Sequence, residues 1–191
     1  MVASGEATVA PTIGALTVPA KTFGDASFNL TAPTSNSSGS FTYTSSVPSV
    51  ATVTSGGTVT IVGAGTTAIT ATQAATASYR ARSVSASFVV SPAVPTIVVI
   101  PRYKRIVGDA SFNIAPTSNS SGAFTYTSSV TSVATVTSGG TVTIVGMGTT
   151  VITATQAASA NYTVGTATST LVVSFNKPYV LQMAGTTNNG V

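Results

Sequence analysis

The chain is written twice over. Gly24-Asp25-Ala26-Ser27-Phe28-Asn29 returns as Gly108-Asp109-Ala110-Ser111-Phe112-Asn113, an offset of 108 − 24 = 84. Thr31 has no counterpart, and beyond it the offset is 83. The stretch SVATVTSGGTVTIVG from Ser49 to Gly63 returns unchanged from Ser132 to Gly146 (132 − 49 = 83). Phe41-Thr42-Tyr43-Thr44 recurs as Phe124-Thr125-Tyr126-Thr127, and Pro11-Thr12-Ile13 as Pro95-Thr96-Ile97. A period of this length is too long for a solenoid unit and suits a small sandwich domain. The expected organisation is an N-terminal arm at 1–10, one module at 11–92, a second at 93–174, and a tail at 175–191 that matches neither. Pro92 and Pro95 flank Val94 at the joint and stiffen it, so a semi-rigid end-to-end pair is expected.

Within each module the apolar pattern has period two. Phe28 and Leu30 share a face, as do Phe41 and Tyr43, Val59 and Ile61, and Ile69 and Ala71. Val84, Ala86, Phe88 and Val90 alternate with Ser83, Ser85 and Ser87. Such alternation signals half-buried strands, and nothing carries a helical period. Gly56-Gly57 reads as a hairpin turn between two of them. About seven strands per module are expected, near 12–18, 27–31, 41–45, 50–54, 58–62, 66–73 and 83–90. The fold class is all-β: two tandem immunoglobulin-like β-sandwich domains. The second copy checks the faces, because Phe112, Ile114, Phe124, Tyr126, Val142, Ile144, Ile152, Leu171 and Val173 keep the inward positions apolar.

Charge does not keep this surface wet. Charged residues are 5% of the chain, against about 25% in ordinary soluble domains; Ser, Thr, Asn and Gly fill the gaps instead. The net charge of +4 arises from seven bases and three acids, Glu6, Asp25 and Asp109. No dense basic face is visible, so nucleic acid is not expected as a partner. No apolar run approaches the roughly 18 residues of a spanning helix, so membrane insertion is not expected. Residues 1–6 show neither the basic nor the apolar region of a secretory leader.

Both copies carry the pattern Ser49-Val50-Ala51-Thr52-Val53, then Gly57, then Val59-Thr60-Ile61-Val62-Gly63-Ala64-Gly65-Thr66-Thr67-Ala68-Ile69-Thr70-Ala71-Thr72. This resembles the bacterial Ig-like group 2 domains of the invasin and intimin type. The resemblance implies a sandwich fold and a spacer or surface role, as in adhesins or on phage and large-virus particles.

Enzymatic chemistry is not expected. With no His and no Cys, Ser-His-Asp arrangements, Cys nucleophiles and most zinc sites are excluded. Asp25 and Asp109 occupy equivalent places in successive modules, too far apart to act as a pair; each reads as a turn residue bonding nearby backbone. Three scattered acids do not make a calcium site, so no metal or cofactor is expected. A Lys–Asn crosslink would need a lysine repeated in each module, and Lys21 aligns with Arg105 (21 + 84 = 105).

What remains is surface. Arg102-Tyr103-Lys104-Arg105 is the sharpest difference between the copies, and with Arg80 and Arg82 it forms the candidate partner-contact set. The alternative reading is a first strand whose charges discourage edge-to-edge pairing. Arg80 and Arg82 are placed in a loop. Asn36 and Asn119 lie in equivalent sequons and are candidate glycosylation sites. Tyr79 and Tyr162 are expected to cap the core. The expected role is a non-enzymatic structural protein on a virion surface, with an extracellular or cell-surface adhesin or carbohydrate-binding module as the alternative. The expected partners are the chain itself or a larger coat protein, engaged through the tail, or host-surface glycans.

Overall fold

The computed structural model describes residues 9–98 and 100–175. The expected arm and tail, apart from Val9, Ala10 and Phe175, lie outside the described residues. Each repeat folds as seven strands. The first gives β1 (Lys21–Thr22), β2 (Phe28–Asn29), β3 (Phe41–Ser45), β4 (Ala51–Val53), β5 (Thr58–Ile61), β6 (Gly65–Gln73) and β7 (Arg82–Ser91). The second gives β8 (Tyr103–Ile106), β9 (Phe112–Asn113), β10 (Phe124–Ser128), β11 (Ala134–Val136), β12 (Thr141–Ile144), β13 (Gly148–Gln156) and β14 (Gly165–Ser174).

In the first repeat a four-stranded sheet, β1-β7-β6-β3, faces a three-stranded one, β2-β5-β4; the second repeats this as β8-β14-β13-β10 and β9-β12-β11. The pairings are antiparallel except at one edge, where β1 runs parallel to β7 and β8 parallel to β14. The first sandwich therefore has a tip, with the loops at 30–40 and 74–81, and a base, with the turns at 22–27, 46–50 and 62–64. The chain divides into two compact units. Unit 1 holds the residues up to Thr96 together with Ser118–Gly122 and Ala157–Gly165; unit 2 holds Ile97–Thr117, Ala123–Gln156 and the residues from Thr166 on.

Each unit has its own core. Leu16, Tyr43, Val59, Ile69, Phe88 and Val90 pack together in unit 1; Ile100, Ile114, Val142, Ile152, Leu171 and Val173 do so in unit 2. Phe88, Ile69 and Val59 are wholly buried. The period-two reading fixes these faces correctly, because one side of every strand lies between the sheets.

The first expected strand is displaced. Over 12–18 only Ile13 forms a bridge, antiparallel to Ser35, and the first ladder strand is β1 at Lys21–Thr22. Pro11 and Pro19 carry no amide donor, which a continuous ladder needs. The amide of Gly14 goes instead to the carbonyl of Thr34 at 2.8 Å.

The β4–β5 hairpin turns at Gly57, whose φ is 91°. The Thr54 N–H meets the Thr58 carbonyl and the Gly57 N–H meets the Thr54 carbonyl, both at 2.9 Å. A Cβ at Gly57 would sit 3.1 Å from the Tyr43 ring, so both the backbone and the packing require glycine there.

Polar side chains also work inside. Buried Thr67 accepts the Val47 N–H at 2.9 Å and bonds Ser45 Oγ at 2.9 Å, holding the connection from β3 to β4. Thr150 does the same for Val130 and Ser128.

Truncating Phe88 to Ala should cost about 3–5 kcal/mol. Phe88→Leu, which installs the residue the second repeat carries at Leu171, should cost about 1 kcal/mol. Denaturant unfolding of both variants checks this. Burial also raises the phenol pKa of Tyr43 and of Tyr126 above the ordinary tyrosine value. A raised folded-state pKa gives stability that is full below about pH 10 and lost as the pH climbs through the folded value. The thermal midpoint should therefore fall above about pH 10, and Tyr43→Phe with Tyr126→Phe should flatten that fall.

Candidate functional site

Three residues of the basic segment of the second repeat, Tyr103, Lys104 and Arg105, fall in β8, which among the described residues is the edge strand of its sheet, beside β14. Alternation splits its side chains. Arg102 and Lys104 are exposed, while Tyr103 and Arg105 are half-buried on the other face. The Arg105 guanidinium lies 4.5 Å from the Phe112 ring centroid and 6.0 Å from that of Tyr103. The two rings are themselves 4.8 Å apart.

The first repeat does the same with Lys21, whose ammonium stands 5.2 Å from the Phe28 ring. The repeated cation over a repeated ring thus covers an aromatic at the sheet edge, a contact that favours charge on a π face. Arg102 and Lys104 remain exposed, and charges at a sheet edge in general disfavour pairing with another edge.

Arg82 is not in a loop, as the sequence reading has it. It opens β7 and pairs with Gln73, and its guanidinium donates to the Pro11 carbonyl at 2.7 Å, fastening the entering chain. The burial alternation of β7 begins only at Val84, since Arg82 and Ser83 are both exposed, so alternation alone does not reveal that the strand starts at Arg82. Arg80 does lie in the loop before β7 and is exposed; its backbone N–H donates to the Val9 carbonyl at 3.0 Å. Of the six partner-contact candidates, four lie in unit 2, at and just before β8, and two lie in unit 1.

Asn36 and Asn119 are exposed, and each uses Oδ1 to accept an incoming backbone N–H, from Thr12 and Thr96 respectively, at 2.8 Å. The loop bearing Asn36 is held from beneath by Gln73, which is 1% exposed. The Gln73 amide donates to the Ser37 and Gly39 carbonyls at 2.9 Å and accepts from Ser35 Oγ at 2.7 Å. The sequence reading missed this residue; a glutamine closing a strand looks like surface, and its only signal was that TATQAA occurs twice.

Asp25 and Asp109 close the turns after β1 and β8. Each carboxylate accepts a backbone N–H three residues back, Thr22 at 2.9 Å and Ile106 at 3.1 Å.

Two concavities stand out. One, of about 170 Å³, lies beside Tyr103 and is lined by Val98, Ile100, Pro101, Ile114 and Pro116. The other, open and of about 390 Å³, lies at the tip of the first sandwich between Asn36, Ser38, Thr76, Ser78 and Tyr79. Among the described residues there is no group of three His, Cys, Asp or Glu side chains placed to hold a metal. Nor is any helix there long and apolar enough to cross a membrane.

These features define a class: tandem immunoglobulin-like β-sandwiches whose polar groups serve turns, loops and edges. The family model of the intimin immunoglobulin-like domain matches residues 31–75 and again 115–158, one segment in each repeat. No curated protein matches the chain. Among solved structures it is similar to Drosophila N-cadherin EC1-4, with 14% identity over 87% of this chain and 50% of that one and a TM-score of 0.38. It is also similar to the surface layer protein SbsC, domains 4-9, with 21% identity, 82% and 26% coverage and a TM-score of 0.37. A third is a SusE-like surface located polysaccharide binding protein from the Bacteroides thetaiotaomicron heparin utilisation locus, with 10% identity, 88% and 35% coverage and a TM-score of 0.34. The chain spans half the length of the N-cadherin fragment and about a quarter of the surface-layer fragment.

If Arg105 serves the edge rings, Arg105→Ala should destabilise unit 2 by about 0.5–2 kcal/mol, whereas Arg105→Lys should recover most of the loss, as Lys21 does beside Phe28. Chemical denaturation of the two variants measures the difference.

Proposed function

We propose that the chain is a non-enzymatic structural module carried on an exterior: a virion surface in the first instance, a bacterial cell surface in the second. The observation that supports an exterior role most is the match of both repeats to the intimin immunoglobulin-like domain. The chemistry of the chain agrees with it. Proton transfer and nucleophilic catalysis draw on His, Cys or paired carboxylates, and this sequence has no His, no Cys and three acids. Asp25 and Asp109 are engaged in their own turns.

The outer faces are built for wetting without charge. Thr70 and Ser85 hydroxyls bond across β6 and β7 at 2.8 Å, and Thr72 and Ser83 at 2.9 Å. Cross-strand hydroxyl pairs of this kind tie strands together while leaving the outer face polar.

Immunogold labelling of intact virions and intact cells with antibodies to the chain tests the proposal. Label on virions supports the first placement, and label on the cell envelope supports the second. Label confined to the cell interior overturns both. A glycan array separates a structural part from an adhesive one: specific, saturable sugar binding by the purified chain would replace the structural role with carbohydrate recognition.

A further inference from the structure

Unit 1 contains, besides the first sandwich, the segment Ala157–Gly165. Within that unit the segment is seated on the base of the sandwich. The Ala64 N–H donates to Asn161 Oδ1 at 2.8 Å. The Tyr162 ring stands edge-on to Phe23, with centroids 5.5 Å apart and planes at 81°. Gly63 is buried beneath it. The segment's backbone is set by Ala93, which donates to the Asn161 carbonyl at 2.9 Å and accepts from the Thr163 N–H at 2.8 Å. A sandwich base in this chain thus offers one backbone N–H and one apolar side chain to an incoming tip loop.

The same tip loop exists in the first repeat at 74–80, 83 positions earlier. Tyr79 bridges Val9 in parallel, as Tyr162 bridges Ala93. The Val9 N–H donates to the Ser78 carbonyl at 3.2 Å, and the Arg80 N–H donates to the Val9 carbonyl at 3.0 Å. Here, however, Ser78 is exposed and Tyr79 borders the open cleft at the tip. Among the described residues, no aromatic ring is stacked on Tyr79 as Phe23 is on Tyr162.

Unit 2 has the complementary surplus. Its β8 ends at Ile106, its β14 ends at Ser174 and its β13 begins at Gly148, all at one end of one sheet. At that base Val107 takes the place of Phe23 (23 + 84) and Met147 that of Ala64 (64 + 83). Val145, Met147 and Phe175 are 54%, 60% and 65% exposed. Gly146, whose equivalent Gly63 is buried, is only half-buried.

We propose that the tip of unit 1, at Ser78, Tyr79 and Arg80, takes the base of unit 2 of a second copy, at Val107, Met147 and Phe175, so that chains associate head to tail. Three features favour this occupant. The pairing reuses a contact already made inside unit 1. A Met thioether against a Tyr ring is a favourable contact. Arg80 replaces Thr163 at the tip, and Asp109 lies beside Val107 at the base, so opposite charges would meet. The two patches differ, so the contact is heterologous: it does not close into a twofold dimer but continues from copy to copy. The inference rests on these two surfaces and does not depend on which exterior carries the chain.

Sedimentation velocity of the full chain across a wide concentration range tests it. The weight-average mass should rise steadily without stopping at a dimer. Tyr79→Ser and Met147→Ser, each confirmed as folded by circular dichroism, should each stay monomeric alone. Mixed in equal amounts they should give dimers and nothing larger, because one variant keeps an intact base and the other an intact tip. A parent chain monomeric at every concentration, a plateau at dimer, folded variants that assemble like the parent, or a mixture that stays monomeric would each overturn the proposal.

Discussion

Everything in this molecule depends on burying every second side chain between two sheets. Along β7 the exposed residues Ser83, Ser85 and Ser87 alternate with the inward set Val84, Ala86, Phe88 and Val90, the last two fully buried. Apolar area removed from water is the dominant favourable term in folding, and here it comes almost wholly from Val, Ile, Leu, Ala and Phe. The partner strand β6 supplies Ile69 and Ala71 to the same layer through an antiparallel register of nine pairs. A one-residue slip would turn hydroxyls inward and apolar groups out, so the register is tightly specified.

Once that core is set, the outer surface can do without charge. Charged residues are 5% of the chain, and among the described residues five of them serve the fold directly. Asp25 and Asp109 close turns, Arg82 ties down the entering chain, and Lys21 and Arg105 cover edge aromatics. The pattern fits a structural part whose polar groups are engaged in holding its own shape. Val145, Met147 and Phe175 at the base of unit 2 depart from that pattern, being apolar and exposed.

Much of the fold was legible in the sequence because the code was both periodic and duplicated. Positions 59, 69, 71, 88 and 90 were assigned inward from alternation alone, and their counterparts 142, 152, 154, 171 and 173 are buried too. The hairpin at Gly57 was legible because a left-handed turn needs glycine. The first strand was not: Leu16 and Val18 look like strand residues, but the prolines around them break the ladder, and only tertiary pairing shows where it resumes. Gln73 and Thr67 were invisible for a different reason. A buried polar side chain is recognised by the hydrogen bonds that satisfy it, and those lie 34–38 and 20–22 residues away in sequence. The contact candidates were legible as charges but not as geometry, because the alternation of β8 turns Arg105 onto Phe112 and leaves Arg102 and Lys104 outside.

The most direct measurement of this architecture is amide hydrogen exchange of the intact chain beside a Val59→Ala variant. If each repeat is stabilised by its own layer of inward side chains, protection should fall along β3, β5, β6 and β7 and persist along β10, β12, β13 and β14. Equal loss of protection in both sets of strands would mean a single shared core and would contradict the account.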